Sequence, residues 1–211
     1  MINNFIHSHK LVNYGSLRER ANNSITELIS LAEAKEHLRI DSSFTNDDTY
    51  ITTLISVSRA ICESYVGFTL ATNTALEYHM DKFPDNEVIY LYGVYKPGNF
   101  VINYYDNNDS LQVLSNTLYN VDTSSIPTRV FLKENNSFPS TSDSIPSAIK
   151  IDLAAGPTVA QELPRPIYQA ILLTIGHLYE NRQNVIVGGG KPYDVPQTAE
   201  HLMNPYRVVV I

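Results

Sequence analysis

With 211 residues, 43% of them hydrophobic, the chain is long enough to bury a core, which excludes disorder throughout and fits one domain or one domain with a subdomain. Its 15 Lys and Arg against 22 Asp and Glu leave a formal charge of −7, which argues against a dedicated duplex binder that must neutralise phosphates. A single cysteine excludes an internal disulfide, and no apolar run approaches the roughly 18 residues that span a bilayer. No charged segment followed by an apolar run opens the sequence, so a soluble protein made and kept in a reducing cytosol is expected, without membrane partners. The absence of Trp beside 14 Tyr, with many Asn and Ser, suggests extended hydrogen-bonding surfaces more than a deep apolar pocket.

Residues 1–24 mix Asn, His, Ser and isolated apolar residues without sustained period, and read as a flexible arm able to order on a partner. Ser30 followed by Glu33 forms a capping-box pattern, predicting a short helix over Leu31–Leu38 with Leu31, Ala34 and Leu38 on its apolar face. Asp41 and Ser42 end it. Thr45 or Asn46 then caps a longer helix, with Asp47 and Asp48 in the first turn, where the helix dipole favours carboxylates. Ile51, Leu54, Ile55, Ser58, Ile61, Cys62 and Tyr65 recur at helical spacing, and Gly67 is the stop.

From Leu70 the period switches to alternation. Strands are predicted at Leu76–Met80, Val88–Tyr92, Phe100–Tyr105, Leu111–Leu114, Thr117–Val121, Arg129–Lys133 and Ala148–Ala154, separated by Gly93, Pro97-Gly98 and the Asp106–Asp109 run. Asn135–Ser147, rich in Ser and broken by Pro139 and Pro146, is expected to be the most mobile loop. Helix resumes after Pro164 and Pro166, with Ile167, Ala170, Ile171, Thr174, Ile175 and Leu178 inward and Gly176 permitting a close helix contact. Thr198–Met203 adds a short helix, and Pro205–Ile211 reads as an extended terminus. The expected fold is therefore α+β: a small helical bundle of two N-terminal helices and a later long one, with an inserted antiparallel β subdomain and extended termini. The boundaries are a 1–24 arm, a helical core from 25–69 and 156–187, a 70–155 insertion, and a 188–211 tail that docks on a partner.

Candidate chemistry is sparse. Val187 to Lys191 resembles a phosphate loop, but Pro192 after the lysine supplies neither hydroxyl nor amide. His177 and Glu180 share a helix face, yet no second histidine completes a metal site, and His7, His9, His37, His79 and His201 are scattered. Cys62 on an apolar helix face reads as an unreactive core thiol. Nothing assembles a nucleophile, a base and an oxyanion donor, so no enzyme activity, cofactor or metal is expected.

Leu31, Glu33, Ala34, Lys35, Leu38, Arg39 and Asp41, followed by Asp47 and Asp48 and the helix from Ile51 to Tyr65 with Gly67, resemble the opening of tailed-phage head-to-tail connector proteins, also called adaptor or head-completion proteins. His177, Leu178, Tyr179, Glu180, Asn181 and Arg182 resemble that family's later helix, and Pro196 with Leu202–Arg207 its tail. The resemblance implies a non-enzymatic virion protein of the neck. Such proteins form a ring, commonly of twelve subunits, below the portal protein; they prolong the DNA channel without specific binding, and join the capsid to a stopper or tail protein. On that analogy Tyr206, Arg207, Val208, Val209 and Val210 contact the portal. A net acidic ring suits DNA that must slide past. The 70–155 insertion departs from smaller members. One competing reading is a virion surface module whose Tyr- and Asn-rich insertion binds carbohydrate or a host component; another is an enzyme using His177 and Glu180.

Overall fold

The computed structural model describes residues 15–19, 24–182 and 197–208. They fall into two compact units, one drawn from residues 1–26 and 67–156, the other from 27–66 and 157–211.

The second unit is helical: α1 (Leu31–His37), α2 (Asp48–Val66), α3 (Arg165–Glu180) and α4 (Gln197–Met203), with single 3-10 turns at Ala160–Glu162 and Asn204–Tyr206. The capping box forms as expected, with the Glu33 amide donating to Ser30 Oγ at 3.2 Å and the Ser30 amide to Glu33 Oε2 at 2.8 Å. α1 closes in a Schellman turn: Ile40 N–H donates to Lys35 O at 2.9 Å and Arg39 N–H to Glu36 O at 3.1 Å. Arg39 takes the left-handed position, with φ 58°, that glycine ordinarily fills. On α2, Ile51, Leu54, Ile55, Ser58, Cys62 and Val66 are buried, and Gly67 at φ 83° ends the helix. On α3, Ile167, Ala170, Ile171, Leu172, Thr174 and Ile175 are buried behind a Pro in the first turn. Cys62 Sγ lies 3.9 Å from Thr174 Oγ1 where these two faces meet. Burial pushes the Cys62 thiol up to about 12, so it is the inert core thiol its spacing predicts. Gly176 faces α1, where an added Cβ would stand 3.5 Å from His37 Nε2, so the approach leaves room for a methyl group.

The first unit is a sandwich of two antiparallel sheets. Its strands are β1 (Ser16–Glu19), β2 (Ile25–Thr26), β3 (Thr72–Met80), β4 (Val88–Leu91), β5 (Phe100–Tyr105), β6 (Leu111–Val113), β7 (Tyr119–Asp122), β8 (Thr128–Leu132) and β9 (Ile149–Ala155). One sheet runs β1-β3-β9-β5-β6 with β2 also on β3; the other runs β4-β8-β7. β9 shows the pattern at its cleanest, because Ile149, Ile151, Leu153 and Ala155 are buried and alternate with half-exposed Lys150, Asp152 and Ala154. They share one core with Leu76 and Tyr78 of β3, Ile89 and Leu91 of β4, Ile102 of β5 and Val130 of β8. The Tyr78 hydroxyl is satisfied within this core by Tyr90 O at 3.0 Å. Gly156 ends β9 at φ 96°, where a Cβ would fall 1.8 Å from Ala71 O.

Three expectations need correcting. Within the supposed arm, Ser16–Glu19 form β1 on the edge of β3, in register from Ser16↔His79 to Glu19↔Leu76. Asn135–Ser147 is irregular but anchored: Phe138 stacks on Phe83 at 4.5 Å, Ser142 N–H donates to Tyr105 O at 2.9 Å, and Ser142 Oγ bonds Asp109. The terminus is not extended from Pro205, because Asn204–Tyr206 form a 3-10 turn before extended backbone begins at Arg207.

Candidate interaction sites

Among the described residues no group of three or more His, Cys, Asp or Glu is placed to hold a metal ion. His177 and Glu180 lie on α3, half-exposed and exposed respectively, and His177 meets Asn181, whose amide nitrogen donates to His177 O at 2.8 Å. The glycine run from Val187 to Lys191 lies outside the described residues. Glu33, Lys35, Asp47, Asp48, Tyr179 and Arg182 of the motif instead make three contacts that tie the helices together.

The first is an ion pair. Lys35 Nζ lies 2.6 Å from Asp48 Oδ1 and donates to Ser42 O at 3.2 Å, with the Lys35 side chain only 6% exposed. A buried ammonium needs such partners, because an unpaired charge there would have no solvent to replace them. The second joins α1 to α3. Tyr168 Oη donates to Glu33 Oε1 at 2.9 Å, while Glu33 also serves the cap. The Ser30 hydroxyl, and after it the Ser30 amide and the Tyr168 hydroxyl, hold the Glu33 carboxyl below its ordinary value despite partial burial. Burial and this carboxylate push the Tyr168 phenol up to about 12.

The third contact lies at the end of α3. Tyr179 Oη donates to Asp47 Oδ2 at 2.6 Å and Arg182 Nη2 to the same oxygen at 2.8 Å. The Arg182 guanidinium stands 4.6 Å from the Tyr50 ring centroid and 4.8 Å from that of Tyr179. The Tyr179 hydroxyl, then Arg182, lower the Asp47 carboxyl, and the same bond raises the Tyr179 phenol. Asp47 and Asp48 are thus cross-helix anchors as well as first-turn carboxylates. Tyr50 and Tyr168 carry no sequence signal of these contacts beyond helical spacing, and Asp47 reads in the sequence only as a first-turn carboxylate. Arg39 and Asp41 stand apart from these contacts. Asp41 Oδ1 accepts from the Ser43 amide at 2.8 Å and its hydroxyl at 2.6 Å, closing the turn between α1 and α2.

The tail returns to α2. Val208 N–H donates to Val66 O at 2.8 Å, and the Arg207 guanidinium stands 5.4 Å from the centre of the Tyr65 ring. Tyr206 and Val208 are half-exposed and Arg207 exposed; Val209 and Val210 lie outside the described residues. In the sandwich, the edge strand β6 leaves Leu111 59% and Val113 63% exposed, with Val101 of neighbouring β5 also exposed.

Residues 28–94 match the family model of phage gp6-like head-tail connector proteins. The resemblance read from the opening motif is borne out over that segment, which holds Lys35, Asp48, Tyr65 and Gly67; the later motif at 177–182 lies beyond it. The fold as a whole is similar to three solved chains. One, from the virion of a native gene transfer agent (GTA) particle, has TM-score 0.70 at 16% identity, covering 92% of this chain and 96% of that one. A second, from the neck of an empty GTA particle computed with C6 symmetry, has TM-score 0.67 at 15% identity, with the same coverage. A third, from the neck of a native GTA particle computed with C12 symmetry, has TM-score 0.52 at 15% identity, covering 89% and 97%. The comparison with curated proteins found no match. The α+β architecture expected from the sequence is thus one shared with chains of gene transfer agent particles.

Proposed function

We propose that this protein is a structural head-to-tail connector of a phage-like particle: a subunit of a ring, of about twelve copies on the family analogy, set in the neck beneath the portal. The observation that carries the reading is the coincidence of a connector-family match at residues 28–94 with a neck-protein fold spanning 92% of the chain. The ring extends the DNA channel, passes DNA without specific binding, and joins the capsid to a stopper or tail protein. Tyr206, Arg207, Val208, Val209 and Val210 make the portal contact. The chemistry is mechanical, with no cofactor and no turnover. A net charge of −7 suits a lumen past which phosphates slide.

A ring closes by heterologous contacts, in which each subunit presents two different faces to its neighbours. Electron microscopy of the protein mixed with its purified portal tests the reading. A ring stacked coaxially on the portal is expected. A chain that shows no portal affinity, alone or in excess, overturns it; a monomer in the absence of portal is compatible, since the portal can template assembly.

A further inference from the structure

The geometry points to Tyr65, together with the Val66 carbonyl, as the positioning residue for the tail. This rests on the reading of the tail as the portal contact. α2 has no basic residue in its last turn, and the last carbonyls of any helix lack intrahelical partners. One of these carbonyls and the missing cation are supplied from the far end of the chain. Val208 N–H occupies the Val66 carbonyl at 2.8 Å, and Arg207 brings a cation to the C-terminal end of the helix, 5.4 Å from the Tyr65 ring centre. Gly67, at φ 83°, turns the continuing chain at the same point.

The tail therefore leaves the helical unit from a fixed seat. The 3-10 turn at Asn204–Tyr206 delivers Arg207 onto Tyr65, and one residue later the backbone is pinned to α2. A segment held at its root has less conformational freedom to lose on docking than a free one, and this raises its affinity without any new contact to the partner. Tyr65 thus acts on portal binding through Arg207 and Val208, without itself touching the portal.

The test uses the full chain, and reads hydrogen exchange at the Val208 amide beside affinity for purified portal protein. Tyr65→Leu keeps apolar bulk but removes the ring face, and should speed Val208 exchange about two- to fivefold, the value of an exposed cation–π contact. Portal affinity should fall by a similar factor. Tyr65→Phe should restore both. Arg207→Ala, at an exposed side chain, should reproduce the faster exchange without touching the core, so a folding defect in the leucine variant would leave the question answerable. Unchanged Val208 exchange in both Tyr65→Leu and Arg207→Ala, or no recovery in Tyr65→Phe, overturns the proposal. If a chain lacking residues 206–211 binds portal as tightly as the full chain, the portal reading of the tail fails, while the exchange result still decides whether Tyr65 seats it.

Discussion

In the sandwich, the inward positions of β9 are Ile149, Ile151, Leu153 and Ala155, in an aliphatic and aromatic core beside which Asn73, His79, Thr128 and Ser142 are also buried, and backbone ladders join the strands. The helical unit has an apolar seam too, but its chain segments are also joined by charged and phenolic groups: Lys35 to Asp48, Tyr168 to Glu33, and Tyr179 and Arg182 to Asp47. Arg59 adds a further link, bonded to Glu27 at 2.9 Å and to Glu63 one turn along α2. Apolar packing is tolerant of direction, whereas a hydrogen bond fixes distance and angle together. The two units therefore differ in how their segments are joined: backbone ladders already fix the strands of the sandwich, whereas the helices, which satisfy their own backbones, are fixed relative to one another by side-chain hydrogen bonds and an ion pair.

The sharpest way to break this contrast is to open a cavity in the sandwich. Ile151→Ala, at a fully buried position, should cost about 3–4 kcal/mol, read by urea or thermal denaturation. A loss near 1 kcal/mol would mean that the sandwich core is not what carries this unit. Next comes Asp48→Ala, which strands the Lys35 ammonium and should cost about 2 kcal/mol, discounted for the partial exposure of Asp48. Adding Lys35→Met should recover most of that loss. If it does not, the pair is more than a satisfied charge.

A pH titration sharpens the comparison further. Glu33 is held below its ordinary value of 4.5, so its contribution is fully present above that value and is lost as pH falls through the lower folded value. Glu33→Gln should therefore lower stability by roughly 1 kcal/mol at neutral pH and flatten the acid limb of the stability profile; an acid limb identical to that of the unsubstituted protein would remove Glu33 as a contributor. The smallest effect is expected at the β6 edge. Leu111→Lys, at a side chain 59% exposed, should change stability by less than about 0.5 kcal/mol in the isolated chain.

Much of the architecture was legible because local rules coincide with tertiary ones. The capping box at Ser30 and Glu33, the helical stripe of α2, the helix after Pro166 and the alternation of β5 and β9 all formed within a residue or two of the expected limits. β1 was missed because Ser16, Leu17, Arg18 and Glu19 show no strong strand preference; the open edge of β3 recruits them. Asp47 and Asp48 misled in a different way. Their local explanation as first-turn carboxylates is sufficient, so nothing in their neighbourhood announces Tyr179, Arg182 or Lys35 as partners.

The sequence by itself determined most element types, the connector resemblance of its opening helical segment, and the inertness of Cys62. It did so because periodicity, caps and burial are written within a few residues. Tertiary structure alone decided which carboxylate meets which cation, that Arg39 adopts a left-handed turn, and that the tail comes back to Tyr65 and Val66. Arg182 reaches Asp47 and Val208 reaches Val66 across more than a hundred positions, a distance no local preference encodes, and an arginine in the left-handed position gives no glycine to mark its turn.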